Sequence, residues 1–174
     1  MSDAAADGSR SRIRSSARRA ARESTRLFVA VQYGTRRPWA PHARSLRRWA
    51  DAAYRGGPAE LTIRIAGRGE SRRANRTWRG QDKPTNVLSF PAGDVPAAGA
   101  RPLGDLLVCA PVVAREAREQ RKSLAAHWAH MIVHGVLHLT GYDHEDDEEA
   151  ARMEAREVEI LTSFGYSDPY GGAG

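Results

Sequence analysis

The chain has 174 residues, 41 % of them apolar, a single cysteine and a net charge of +6. That length supports one domain with a sizeable buried core; no apolar run is long enough to span a bilayer, and the lone Cys109 excludes an internal disulfide and suits a reducing, cytoplasmic setting. The charge is uneven: residues 27–110 carry +8 and residues 111–174 carry −6, a basic half suited to a phosphate backbone joined to an acidic half that would attract a cation.

Residues 1–26 hold seven arginines, three acids and almost no apolar side chain. Such a stretch cannot bury enough surface to offset its chain entropy, so it is expected to be a disordered basic tail ahead of one domain over residues 27–166. Leu27 to Tyr33 is β-rich, and Pro41 to Tyr54 places Leu46, Trp49, Ala50 and Ala53 at helical spacing before Gly56-Gly57. Leu61 to Ala66 alternates as a half-buried strand, Glu70 to Trp78 predicts a short helix, and Val87 to Phe90 and Leu103 to Ala110 predict two more strands. Pro111 suits the first turn of a helix reaching about Lys122, and Ser123 suits the cap of the next. Asp143 with the acids from Glu145 to Glu149 opens a last helix with Met153, Val158, Ile160 and Leu161 as its apolar stripe, and the Gly-rich residues 167–174 are expected to fray. The expected fold class is α+β in mixed α/β layers: a single domain with a mixed sheet of about four strands, about five helices and a zincin-like histidine helix.

His134-Gly-Val-Leu-His138-Leu-Thr-Gly141-Tyr-Asp-His144 carries the chemistry. Histidines at i and i+4 share one helix face, and a glycine three residues later lets the chain leave the helix and return with a third. Three imidazoles fit one Zn2+ ion with a fourth position open to water. The spacing is that of the metzincin proteases, but Gly135 stands where their general-base glutamate would be, so the metal geometry survives without the protease base. A clamp of His130 with His134 is an alternative, and it leaves Gly141 and His144 without a purpose. Asp143 is a candidate to orient a ligand ring; for Glu145 to Glu149 the choice is between metal binding and simple favour at a helix N-terminus. Cys109, among Leu106, Leu107 and Val108, reads as a small buried side chain.

Upstream, Asn75-Arg-Thr-Trp-Arg79-Gly-Gln-Asp-Lys-Pro-Thr-Asn86-Val-Leu-Ser-Phe-Pro91 follows a helix on which Arg72, Arg76 and Arg79 fall at i, i+4 and i+7. That spacing predicts one basic face, with Ala74 and Trp78 turned to the core. Guanidinium forks suit phosphate oxygens, so this row is either a phosphate-binding surface, on which an arginine placed opposite a zinc could stabilise charge building on a phosphorane, or a solvated helix face.

These two blocks, with Leu103-Gly-Asp-Leu-Leu-Val108 between them, resemble the YbeY family of bacterial rRNA maturation endoribonucleases over residues 27–166. The resemblance implies a zinc-dependent endoribonuclease specific for single strands, acting on the 3′ end of small-subunit rRNA and in ribosome quality control, with the small ribosomal subunit and its proteins as partners. It carries the zinc ligands over to His134, His138 and His144, and the functional arginine to Arg79. Ala74 and Asn86 stand where the family often has Leu and Asp, touching core packing and one polar contact. Two other functions compete: a ribosome-assembly factor whose zinc is only structural, and a metalloprotease with a displaced base.

Overall fold

The computed structural model describes residues 27–35, 39–93, 99–142 and 146–171. The expected basic tail, residues 1–26, and the site candidates Asp143, His144 and Glu145 lie outside them. In chain order the described elements are β1 (Leu27–Tyr33), α1 (Ala43–Ala53), β2 (Ala59–Ala66), α2 (Arg68–Arg79), β3 (Val87–Pro91), β4 (Arg101–Cys109), α3 (Ala110–Glu119), α4 (Leu124–Leu139) and α5 (Asp147–Ser163). No helix among the described residues is long and apolar enough to cross a membrane.

The four strands form one mixed sheet in the order β1-β2-β4-β3. β1, β2 and β4 run parallel, and β3 returns antiparallel along the outer side of β4. Period-two alternation sets the faces: Leu61, Ile63 and Ile65 of β2 are buried while Glu60 is exposed, and Leu106 and Val108 of β4 are buried while Asp105 is exposed. Leu46 and Trp49 of α1, Trp128, Ile132, Val133 and Val136 of α4, and Met153 and Leu161 of α5 close over the apolar face in one core. α4 is buried along nearly its whole length, with Trp128 fully enclosed and its Nε1 donating to the carbonyl of Trp39 at 2.8 Å. The histidine helix is therefore the central beam of the helical layer.

Two helix starts follow their capping chemistry. Ser123 Oγ accepts from the Ala126 amide at 3.1 Å, as its position predicts. The last helix is capped by Asp146, whose carboxylate accepts from the Glu149 amide at 2.7 Å. Asp147, Glu148 and Glu149 then fill its first turn, where negative charge interacts favourably with the dipole.

One sequence expectation is corrected. Trp78 does not face the core; it is 71 % exposed. α2 instead turns Ser71 and Asn75 inward, and both serve the loop that follows. Ser71 Oγ donates to the Thr85 carbonyl at 2.9 Å and lies 3.0 Å from the Thr85 amide, while Asn75 Nδ2 donates to the Lys83 carbonyl at 2.7 Å. A polar inner face was needed to satisfy a returning backbone, and the period of apolar residues could not report it.

Two glycines permit close approach. In β4 the register skips Leu103, pairing Glu60 with Pro102 and Leu61 with Gly104; Gly104 then takes φ +140°, and a Cβ there would lie 2.3 Å from the Phe90 carbonyl oxygen. In α4 a Cβ on Gly135 would lie 2.8 Å from Leu106 Cδ2, so the histidine helix sits directly on the sheet at this turn. Gly104→Ala should cost roughly 2–5 kcal/mol in urea-unfolding free energy, from overpacking and backbone strain together. Gly57→Ala, with nothing within 4 Å of its Cβ, should stay within about 0.5 kcal/mol.

Candidate metal centre

One helical turn brings the His134 and His138 rings together, with centroids 4.6 Å apart at 78°. Both side chains are half-buried. After His138 the helix ends in a turn where the Tyr142 amide reaches back to the Leu137 carbonyl at 3.1 Å and Gly141 takes φ +97°. That is the exit which the glycine predicted, and it directs the chain toward residues 143–145.

The sequence reading did not single out the group that orients this pair. Glu157, in the middle of α5, has no exposed surface, and its Oε1 accepts from His134 Nδ1 at 2.8 Å. A carboxylate can only accept here, so Nδ1 carries the proton and the lone pair of the neutral ring falls on Nε2. The second oxygen of Glu157 accepts from the Tyr170 hydroxyl and lies 3.5 Å from His130 Nε2. Burial disfavours the charged form of Glu157, but hydrogen bonds from His130, His134 and Tyr170 outweigh it and hold the carboxyl down at about 2. Burial, reinforced by the Glu157 charge, pushes the Tyr170 phenol well above its ordinary range, so it stays a donor. A carboxylate at an interior helix position is the sequence signal for such a group, since an acid there is rarely buried without partners.

Tyr170 belongs to the segment expected to fray. Among its described residues, 167–171, Lys122 Nζ holds the Pro169 carbonyl at 2.7 Å and the Tyr170 amide donates to Asp168 Oδ1 at 2.8 Å. Both contacts steer the phenol onto Glu157.

Ligand-type atoms of His130, His134 and Glu157 lie within 4.8 Å of one another, so this trio could also hold a metal ion. The 2.8 Å contact between Nδ1 and Oε1 has the geometry of a charge-assisted hydrogen bond, the usual support for a ligating imidazole. His127, farther along α4, is buried and serves a separate network. Its Nε2 lies 2.9 Å from Glu116 Oε2, which also accepts from Asn86 Nδ2 at 3.1 Å. These two hydrogen bonds outweigh burial and hold Glu116 below the usual carboxylate range. Asn86 thus supplies a donor where an aspartate would bring a second carboxylate to Glu116.

Of the arginine row, Arg79 shares a cleft with His138. It lines an open cleft of about 260 Å³ together with His138, Ser89, Pro91, Gly141 and Tyr142. Ser71 and Asn75 fix the loop that returns α2 to β3, which holds the end of α2 over this cleft. Arg76 is exposed. Arg72 forms a two-pronged pair with Asp82 at 2.8 and 2.6 Å, so its guanidinium is committed to the loop. Cys109 is buried, and burial pushes its thiol up, in keeping with an inert core side chain.

The Glu157 network has a pH signature. With its folded pKa depressed to about 2, Glu157 contributes stability that is complete above its ordinary value of 4.5 and is lost as pH falls toward 2. The slope of unfolding free energy against pH over that window should be shallower in Glu157→Gln, by up to about one proton. Equal slopes would show that the carboxyl is not held ionised.

Comparison with known proteins accords with this geometry. Residues 42–165 match a family model described as Endoribonuclease YbeY. The chain is 57 % identical over 138 residues to a protein named Endoribonuclease YbeY from Halorhodospira halophila, covering 75 % of this chain and 88 % of that one. A protein of the same name from Stenotrophomonas maltophilia is 52 % identical over 158 residues, covering 87 % and 98 %. Among solved structures, the solution structure of TM1509 from Thermotoga maritima shares the fold, with a TM-score of 0.50 at 23 % identity over 83 % of this chain and 99 % of that one. With a family model spanning most of the domain and relatives above half identity, the chain belongs to the YbeY family.

Proposed function

We propose that this protein is a zinc-dependent endoribonuclease that cuts single-stranded RNA in the cytoplasm, acting on the 3′ end of small-subunit rRNA in contact with the small ribosomal subunit and its proteins. Family membership supports the endoribonuclease activity, since both relatives carry that name. The observation that carries the site assignment is the shared cleft: the His138 ring, one turn from a His134 oriented by Glu157, opens on the same space as Arg79.

His134 and His138, with His144 from beyond the described residues, are the ligands in this reading. The donor set fits zinc: neutral imidazoles, the first with its Nδ1 proton fixed by a carboxylate so that Nε2 can coordinate. Zinc held there supplies Lewis acidity toward a phosphoryl oxygen. Arg79 binds the scissile phosphate, and its forked donors stabilise the charge that builds on the oxygens in the transition state. Arg76, exposed one turn earlier, extends the phosphate contacts, so binding weakens steeply with salt. Arg72, first placed in that row, acts through Asp82 on the loop behind Arg79.

No carboxylate lines the cleft among the described residues. Position 135 cannot supply one, because the Leu106 side chain fills the space a side chain there would need. This disfavours peptide hydrolysis by a glutamate base.

Purified protein should cut single-stranded RNA, and His138→Ala and Arg79→Ala should each lower the rate by at least about 100-fold. Elemental analysis separates their roles: His138→Ala loses the metal, and Arg79→Ala keeps it. A wild type that cuts no RNA would return the protein to a binding-only assembly role, and intact cleavage in both variants would move the reaction away from this cleft. Glu157→Gln should weaken zinc affinity by about 10- to 100-fold in a chelator competition, with Tyr170→Phe weakening it less.

A further inference from the structure

The cleft at Arg79 and His138 has one exposed aromatic side chain in its wall, and a second stands on the far face of its outer strand. Tyr142, 37 % exposed, lines the cleft and also walls an adjoining recess of about 300 Å³ shared with Thr140, Glu149 and Arg152. It stands as a partition between the two spaces. The second is Trp78, immediately before Arg79 in the chain and 71 % exposed. Its indole meets the Phe90 ring edge-on, with centroids 5.7 Å apart at 65°. Phe90 lies between Ser89 and Pro91, both of which line the cleft, so by alternation Trp78 stands just across the outer strand β3 from that space.

Neither ring contributes much to the core. An indole left mostly in water forgoes the stabilisation that burial of so large a side chain brings, yet it is held at a fixed angle by Phe90. Arg76, Arg79 and Lys83, within five residues of it in the chain, are all exposed. Cationic side chains interleaved with exposed, oriented rings are the pattern that receives unpaired nucleotides: phosphates go to the charges and base faces to the rings.

We propose that Trp78 and Tyr142 are base-stacking platforms that grip the nucleotides on either side of the phosphate held at Arg79 and His138, and that they select single-stranded RNA. The inference rests on the endoribonuclease reading and specifies its substrate contacts. In a duplex each base face is already stacked on its neighbour, so a paired strand offers nothing to either ring. A single strand can splay one base onto Tyr142 and carry the other over the open edge of β3 to Trp78. Stacking of this kind accepts any base, so the rings select strandedness and leave sequence to other contacts.

The test measures KM and kcat on a single-stranded RNA oligomer for the zinc-loaded wild type, Trp78→Ala, Trp78→Phe, Tyr142→Ala and Tyr142→Phe, with metal content determined for each. The two alanine variants should raise KM by about 5- to 140-fold, and the phenylalanine variants should recover most of the loss. An oligomer with abasic nucleotides flanking the cut should show the same penalty on wild type and little further penalty on the alanine variants, the coupling expected when base and ring are partners. A structural role would not couple to the base. Unchanged KM in Trp78→Ala, at full metal content and with RNA still cut, overturns the platforms and leaves the endoribonuclease reading standing. A wild type that cuts no single-stranded RNA overturns both.

Discussion

A buried carboxylate meeting an imidazole sets the geometry of the whole site. Glu157 has no exposed surface, and an ionised carboxylate in such a place costs several kcal/mol unless donors surround it. His134 on α4 and Tyr170 beyond α5 both donate, and His130 stands beside them, so the charge survives and the Nδ1 of His134 is committed to it. The bond also ties three parts of the chain together. α4 supplies the histidines, α5 the carboxylate, and the segment after α5 closes the network with Tyr170.

The same helix is constrained from its other side. Gly135 presses α4 onto Leu106 of β4 and Val87 of β3, and its carbonyl accepts from Ser89 Oγ at 3.3 Å. The contact brings the histidine face level with the outer strand of the sheet, where the loop pinned by Ser71 and Asn75 presents Arg79. The residue that looks like a lost glutamate in the metzincin spacing is therefore a packing requirement. A glutamate at that position would have to push the Leu106 side chain aside.

Much of this could be read from the chain. Four strands, five described helices and the Ser123 cap follow from apolar period and capping chemistry. The one-turn spacing of His134 and His138, and the exit at Gly141, follow from helix geometry. What escaped were polar groups that work from the inside. Glu157 was not singled out, because linear sequence does not say which acid of a helix turns inward to meet a histidine 23 residues earlier. Trp78 was assigned to the core with Ala74 by its place opposite the arginine face, and it lost that place to Ser71 and Asn75, whose partners are backbone groups of a loop. Arg72 had the right spacing for a shared basic face, but Asp82, ten residues on in the chain, folds back to claim it.

The central claim is that Glu157 serves the metal site through His134 and does not itself bind the ion. A crystal structure of the zinc-loaded protein, with the ion located by its anomalous scattering, tests this most directly. The account predicts zinc on Nε2 of His134 and on His138, with Glu157 Oε1 still hydrogen-bonded to His134 Nδ1. Zinc found instead between His130 and Glu157, away from His138 and Arg79, would contradict it.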